Sequence, residues 1–363
     1  MQSLRCPTCE VTYPPSPDEP WRCPAGHPLE FADRPTPSGA PPSLSVAELS
    51  RGLWAFADLL PAETRVSLGE GWTPAVEASA WDATFKLEYV SPTGSFKDRG
   101  ATVTVSRAAA LGVDTILEDS SGNAGAAIAT YAARAGIDAR IYVPASTPPA
   151  KRSRIAQTGA DVVAVQGDRG AATEACLAAV ADGDGWYGSH AWHPGFYAGT
   201  ATFAYEVAAQ RGWSAPDAVV LPVGHGTLFL GAARGFQALV AAGWIEEAPR
   251  LLAVQAAGTA PLVAAVRSDA AAAGTNRVAD GVQIEAPARV DAVIEAVAAT
   301  GGDAIAVGGD RTERVLDRLQ TRGFGVEPTA ALAPAGLEAY RDEGVLADDD
   351  AVVVPLTGVA KSG

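Results

Sequence analysis

The sequence predicts an α/β fold with parallel and mixed sheets flanked by helices. Three observations point to it. From Thr115 onward, short apolar runs alternate with helix-compatible ones, the order that builds a parallel sheet. Turn residues rich in Gly, Ser and Asn follow the strand-like runs, at the ends where such sheets bind ligands. At 363 residues, 48% of them apolar, the chain is long enough for a large core and two or more domains.

Residues 1–35 read as a separate small unit. Cys6 and Cys9 are spaced so that both thiolates reach one tetrahedral ion, and Cys23 with His27 follows as a less regular second pair. The unit is zinc-ribbon-like: either His27 completes a structural zinc site, or the site stands empty and packing holds the ribbon. A linker follows over residues 36–43, then a helix over Val46 to Leu60 with Trp54 and Phe56 as core candidates. A strand is expected over Ala83 to Tyr89, ending at a loop and a lysine, Ser91 to Gly100. Next come strand Thr115 to Leu117, helix Ala126 to Ala135, strand Ala139 to Val143, helix Lys151 to Thr158, strand Asp161 to Val165 and helix Ala171 to Ala181. Strand Ala218 to Leu221 leads through a glycine-rich turn into a helix over 229–241. Strands Leu251 to Gln255, Ala304 to Val307 and Ala351 to Val354 complete the pattern, and the last runs into Pro355-Leu356-Thr357-Gly358.

Composition narrows the function. The formal net charge of -15 argues against a nucleic-acid partner, which needs a basic face. No apolar run is long and clean enough to span a bilayer, and Met1 to Cys9 lacks the layout of a signal peptide, so the expected location is the cytoplasm. A surface rich in Asp and Glu fits a high-salt cytoplasm; an ordinary acidic enzyme is the plainer alternative. With no secretion signal, the clustered cysteines point to a metal site rather than disulfides.

The chain's chemistry centres on Lys97, one of only four lysines with Lys86, Lys151 and Lys361. It follows the loop Pro92-Thr93-Gly94-Ser95 and stands at a helix start. An amine there faces the positive end of the helix dipole, which favours its neutral, nucleophilic form and so Schiff-base chemistry. The turn Gly224-His225-Gly226-Thr227, between a strand and a helix, is either a plain strand-to-helix turn or a phosphate cradle, in which backbone N–H groups point at an anion.

Five segments then stand together in one order: Pro92 to Gly100, Ser121-Gly122-Asn123-Ala124, Gly224 to Thr227, Val326 to Ala331 and Leu356-Thr357-Gly358. That order, over about residues 45–360, resembles the fold-type-II pyridoxal-phosphate enzymes, most closely the threonine synthases. The resemblance implies a large cofactor-binding domain of residues 45–100 and 206–363 and a small mobile domain of residues 101–205. It implies pyridoxal phosphate as cofactor, Lys97 as the Schiff-base lysine and proton carrier, and Asn123 on the cofactor's phenolic oxygen. Gly224, His225, Gly226 and Thr227 would hold the cofactor phosphate, and Thr357 would meet the pyridine nitrogen. Ser121, Gly122, Asn123 and Ala124 would bind the carboxylate of an amino-acid substrate. His225 stands where relatives often carry Gly or Asn, so its side chain is expected to point away. A homodimer is usual for the family.

One stretch departs. Ser189 to Thr200 aligns with a segment where threonine synthases use an Asn and an Arg to bind the substrate's phosphate; here His193 and Phe196 stand in those places. Arg99, Lys151, Arg152 and Arg154 are the candidates to supply the charge, while His190 and His193 read as packed or capping residues. Three readings follow: a threonine synthase acting on O-phosphohomoserine; an enzyme of β-elimination or replacement, such as a threonine/serine ammonia-lyase or a cysteine-synthase-like enzyme; and a non-catalytic cofactor-binding homologue, against which an intact Lys97 argues.

Overall fold

The computed structural model describes residues 1–360; residues 361–363, with Lys361 and the last positions of the expected large domain, lie outside the described residues. The strands are β1 Leu4–Arg5, β2 Thr12–Tyr13, β3 Glu30–Phe31, β4 Ala75–Ala78, β5 Ala83–Lys86, β6 Thr115–Glu118, β7 Asp138–Pro144, β8 Asp161–Val165, β9 Trp186–Tyr187, β10 Ala218–Pro222, β11 Arg250–Ala256, β12 Asp303–Val307 and β13 Val352–Pro355. They form three sheets: β2-β1-β3 at the N-terminus, a six-stranded sheet β12-β11-β10-β13-β5-β4, and a four-stranded sheet β8-β7-β6-β9. Every pair in the two larger sheets is parallel except β4 with β5. Strands such as Val219-Val220-Leu221 and Val352-Val353-Val354 are apolar on consecutive residues because helices cover both faces of the sheet.

Three helices meet between the sheets. Lys97–Leu111 and Thr227–Ala241 both pack against Pro194–Gln210. Gly199 allows the closest crossing: a Cβ there would stand 1.9 Å from the Arg99 carbonyl oxygen. Helix Pro194–Gln210 is not marked in the sequence: most of its 17 residues are Ala, Gly, Thr and aromatic, nearly all are buried, and they form no polar stripe.

Two expected elements are cut short. The helix predicted over Val46 to Leu60 is a short helix, Val46–Leu49, followed by a 3-10 helix, Gly52–Leu59, because Gly52 takes φ +61 between them. The strand predicted to Tyr89 stops at Lys86, and Glu88–Val90 turn as a 3-10 helix that carries Glu88 inward to Arg99. Trp54 and Phe56 are core residues, at 1% and 3% exposure.

The N-terminal unit is seated by buried charges. Glu19 accepts from Arg107 Nε at 2.7 Å, on the helix that begins at Lys97. Glu30 accepts from both Arg234 and Arg289. Burial works against the Glu30 carboxylate, yet these guanidinium groups hold it down to about 2. Trp21 lies edge-on to Tyr187 and Trp192, closing the contact with apolar area.

Candidate active site

Lys97 is the first residue of its helix and is half-buried, with its ammonium over the Phe96 ring at 3.7 Å. The preceding loop is clasped from both ends. Asp98 accepts from the Thr93 backbone N–H at 2.7 Å and from the Thr93 hydroxyl, and burial pushes its carboxyl up to about 7 against these hydrogen bonds. The C-terminal segment runs antiparallel beside the loop: the Phe96 N–H donates to the Thr357 carbonyl at 3.1 Å, and the Val359 N–H to that of Gly94 at 2.9 Å. This pairing brings buried Thr357 to the lysine loop.

Ser121 and Gly122 form the loop between β6 and helix Asn123–Ala135, with Gly122 as the cap residue and Ala124 buried in the first turn. The first amides of a helix have no acceptor within it, so this turn offers donors of the kind that suit an anion. The Asn123 amide donates to Glu327 Oε1 at 2.9 Å, and the Glu327 N–H donates to the Gly358 carbonyl at 2.9 Å. Thus the lysine loop, the asparagine loop, the Glu327 segment and the terminal Thr357-Gly358 form one connected group.

Gly224, His225, Gly226 and Thr227 connect β10 to helix Thr227–Ala241. Gly226 takes φ +79, a left-handed conformation, and a Cβ on it would stand 2.6 Å from Val293 Cγ2. The turn therefore presents bare backbone at a helix start, which fits the phosphate of pyridoxal phosphate. Two buried polar atoms without a partner among the described residues, Ser95 Oγ near Lys97 and His225 Nδ1 in the turn, also fit a polar ligand held between these segments.

The His225 side chain is turned to another imidazole, that of His190, with ring centroids 5.2 Å apart. His190 Nδ1 lies 2.6 Å from Glu118 Oε1, and the His190 backbone N–H donates to Glu118 Oε2 at 3.3 Å. His190 packs between Phe196 and His225, as expected, and is in addition paired with a buried carboxyl. His193 does cap a helix, accepting from the Gly195 N–H at 3.1 Å. Glu118 was missed in the sequence. The signal for it is an acid closing the apolar strand β6, two residues before the Ser120 to Gly125 loop.

The candidates for a phosphate-binding cation are sorted by the fold. Arg99 is wholly buried and consumed: it donates to Glu88 at 2.7 Å through both Nε and Nη2, and to Glu206 at 2.6 and 2.8 Å. Lys151 pairs with Asp280 at 3.2 Å, and Arg154 donates to the Thr93 carbonyl at the lysine loop. Arg152 has a buried Nε without a partner. Phe196 is fully buried, packed against Gly100 in the core around helix Asn123–Ala135.

At the N-terminus the predicted ligands come together. Cys9 Sγ lies 3.8 Å from Cys23 Sγ; His27 Nδ1 lies 3.9 Å from Cys6 Sγ, 3.3 Å from Cys9 Sγ and 3.5 Å from Cys23 Sγ. A tetrahedral zinc with bonds of about 2.3 Å to sulfur and about 2.0 Å to nitrogen separates such ligands by roughly 3.5–3.8 Å. The donor set and its spacing fit that ion.

Comparison with known proteins agrees with this geometry. The family model described as pyridoxal-phosphate dependent enzyme matches residues 66–358. The threonine synthase of Methanosarcina acetivorans is 33% identical over 322 residues, which cover 84% of this chain and 79% of that protein. That of Methanocaldococcus jannaschii is 31% identical, over 85% of this chain and 80% of that protein. Among solved structures, threonine deaminase isoform 2 of Solanum lycopersicum superposes with a TM-score of 0.69 at 19% identity, covering 91% of this chain and 94% of that one. A pyridoxal 5'-phosphate-dependent aspartate racemase gives 0.67 at 21% identity, covering 80% and 91%. At those identities the structures share the fold. The chain belongs to the pyridoxal-phosphate-dependent enzyme family, as a threonine synthase-like lyase.

Proposed function

We propose that the chain converts O-phosphohomoserine and water to threonine and phosphate. The observation that supports this reading is the connected group of the Lys97 loop, the Asn123 turn, the Glu327 segment and Thr357-Gly358, in a chain whose curated relatives are threonine synthases over about four-fifths of their length. Bound pyridoxal phosphate supplies an electron sink for bonds beside the substrate's amino group. The residues of the chain supply the rest. The amides at Ser121, Gly122, Asn123 and Ala124 hold the substrate carboxylate, and Gly224, His225, Gly226 and Thr227 hold the cofactor phosphate. Thr357 offers a neutral hydroxyl to the pyridine nitrogen rather than a carboxylate. Lys97 carries the cofactor and moves protons at the substrate's carbons while phosphate leaves Cγ and water adds at Cβ. The four-stranded sheet and its helices, residues 101–205, act as a small domain that closes on the rest and excludes water.

The second reading, elimination or replacement at Cβ of another amino acid, draws on Phe196 and Arg99: one is apolar and the other is spent in an ion network. A product assay on cofactor-loaded protein separates the two. O-phosphohomoserine is offered beside serine, threonine and O-acetylserine, in high salt. Threonine and phosphate formed together support the synthase; keto acid or cysteine with O-phosphohomoserine inert replaces it.

The reading extends to the rest of the molecule. Cys6, Cys9, Cys23 and His27 hold a structural zinc, and a chelator that strips one metal equivalent lowers the unfolding temperature. The surplus of acid, a formal -15, fits a high-salt cytoplasm, and the homodimer rests on the resemblance to the family alone.

A further inference from the structure

Strands β6 and β9 are parallel neighbours, with Ile116 opposite Trp186 and Leu117 opposite Tyr187. Their carboxyl ends leave the sheet side by side, and the Gly188 N–H still bonds the Leu117 carbonyl at 2.9 Å. Glu118 and His190 are thus brought together at the end of the sheet where ligands bind. Glu118 grips His190 twice, at the ring and at the backbone, which fixes the ring's orientation. The ring edge remains accessible: 12% of the His190 side chain is exposed, and Nε2 makes no hydrogen bond among the described residues. Phe196 lies 6.0 Å from the ring on one side and His225 5.2 Å on another.

We propose that His190, positioned by Glu118, is the residue that meets the phosphate of the substrate side chain, in place of the guanidinium that Phe196 replaces. This rests on the synthase reading above. The protonation of the pair suits the task. Burial drives the Glu118 carboxyl well above the usual range, with Asp119 adding to the effect, and burial holds the imidazole below its own. The shared arrangement is a carboxyl O–H donating to Nδ1, which leaves Nε2–H as an outward donor. The charged and titratable groups facing the pair are Lys97, Asp119, Arg169, Cys176, Tyr187 and His225. The Arg169 guanidinium beside this N–H donor favours a phosphoryl oxygen.

The test is calorimetric binding of L-2-amino-5-phosphonopentanoate, which keeps the phosphoryl group but cannot lose it, against L-norvaline, which lacks it, on cofactor-loaded protein. The wild-type chain binds the phosphonate more tightly. His190→Ala lowers phosphonate affinity about 10- to 100-fold and leaves norvaline affinity unchanged. Glu118→Gln keeps the preference, because its amide N–H still donates to Nδ1 and Nε2 remains a donor; Glu118→Ala reduces it. Should His190→Ala lose norvaline as well, His190→Gln, which retains a donor, is judged by the same ratio. A wild-type preference that survives in both His190 variants overturns this inference and leaves the synthase reading standing. No preference in the wild-type chain overturns the synthase reading, and this inference with it.

Discussion

Two buried charge clusters sit near the start of the lysine helix, and they treat the same residue type in opposite ways. In the first, Lys86 and Arg99 face Glu88 and Glu206, with the ion pairs between 2.6 and 2.8 Å and all four side chains at 0% exposure. Burial works against Glu206, but Arg99 and Lys86 hold its carboxyl down to about 2. In the second, Glu118 is equally buried yet has an imidazole for its partner, and burial drives its carboxyl up. The first cluster is balanced, two cations against two anions, and every carboxylate oxygen is used. The second keeps unused capacity: among the described residues, neither His225 Nδ1 nor His190 Nε2 makes a hydrogen bond. A closed network fixes a helix in place, whereas an unfinished one awaits a ligand.

The sharpest separation uses Lys97, which belongs to neither cluster. Lys97→Ala lowers turnover by at least about 10³-fold while the unfolding midpoint in urea moves little. A mutant that unfolds early instead would make Lys97 part of the structural network. Breaking the closed cluster comes next. Arg99→Met leaves the buried Glu88 carboxylate without a cation and Glu206 with Lys86 alone, and costs about 3–5 kcal/mol, read from denaturant unfolding; a loss under about 1 kcal/mol would show that the cluster is not the lock described here.

The pH dependence carries opposite signs for the two clusters. Glu206 is depressed when folded, so its contribution is present above the unfolded carboxyl value near 4.5 and is lost as pH falls toward about 2. Glu118 is raised, so its contribution is full below that unfolded value and is lost as pH rises through the folded one. Unfolding curves across pH should therefore show Glu206→Gln flattening the acid limb and Glu118→Gln the alkaline limb; the same limb lost in both would collapse the distinction. The smallest effect is expected for Glu118→Leu. It removes a costly buried group from an unfinished cluster and changes stability by less than about 1 kcal/mol, in either direction, while phosphonate binding suffers.

Much of the site was legible because it is local. A turn of Pro, Thr, Gly and Ser before Lys97, Gly-Asn before a helix, and Gly-His-Gly-Thr between strand and helix each carry their backbone consequence within a few residues. The N-terminal ligands were legible for the same reason, since Cys6 and Cys9, and Cys23 and His27, sit within one turn of each other. Helix Pro194–Gln210 was illegible because a helix buried on all sides lacks the polar face that marks a period.

The sequence by itself determined the alternation of strands and helices, the place of Lys97 at a helix start and the make-up of the turns, because φ/ψ preference and capping act over short spans. Only the tertiary structure decided which charges are spent and which remain available. Arg99 and Glu206 are 107 residues apart and Glu118 and His190 are 72 apart. Their pairing depends on which helices cross and which strands lie side by side, and burial then sets whether each carboxyl keeps or gives up its proton.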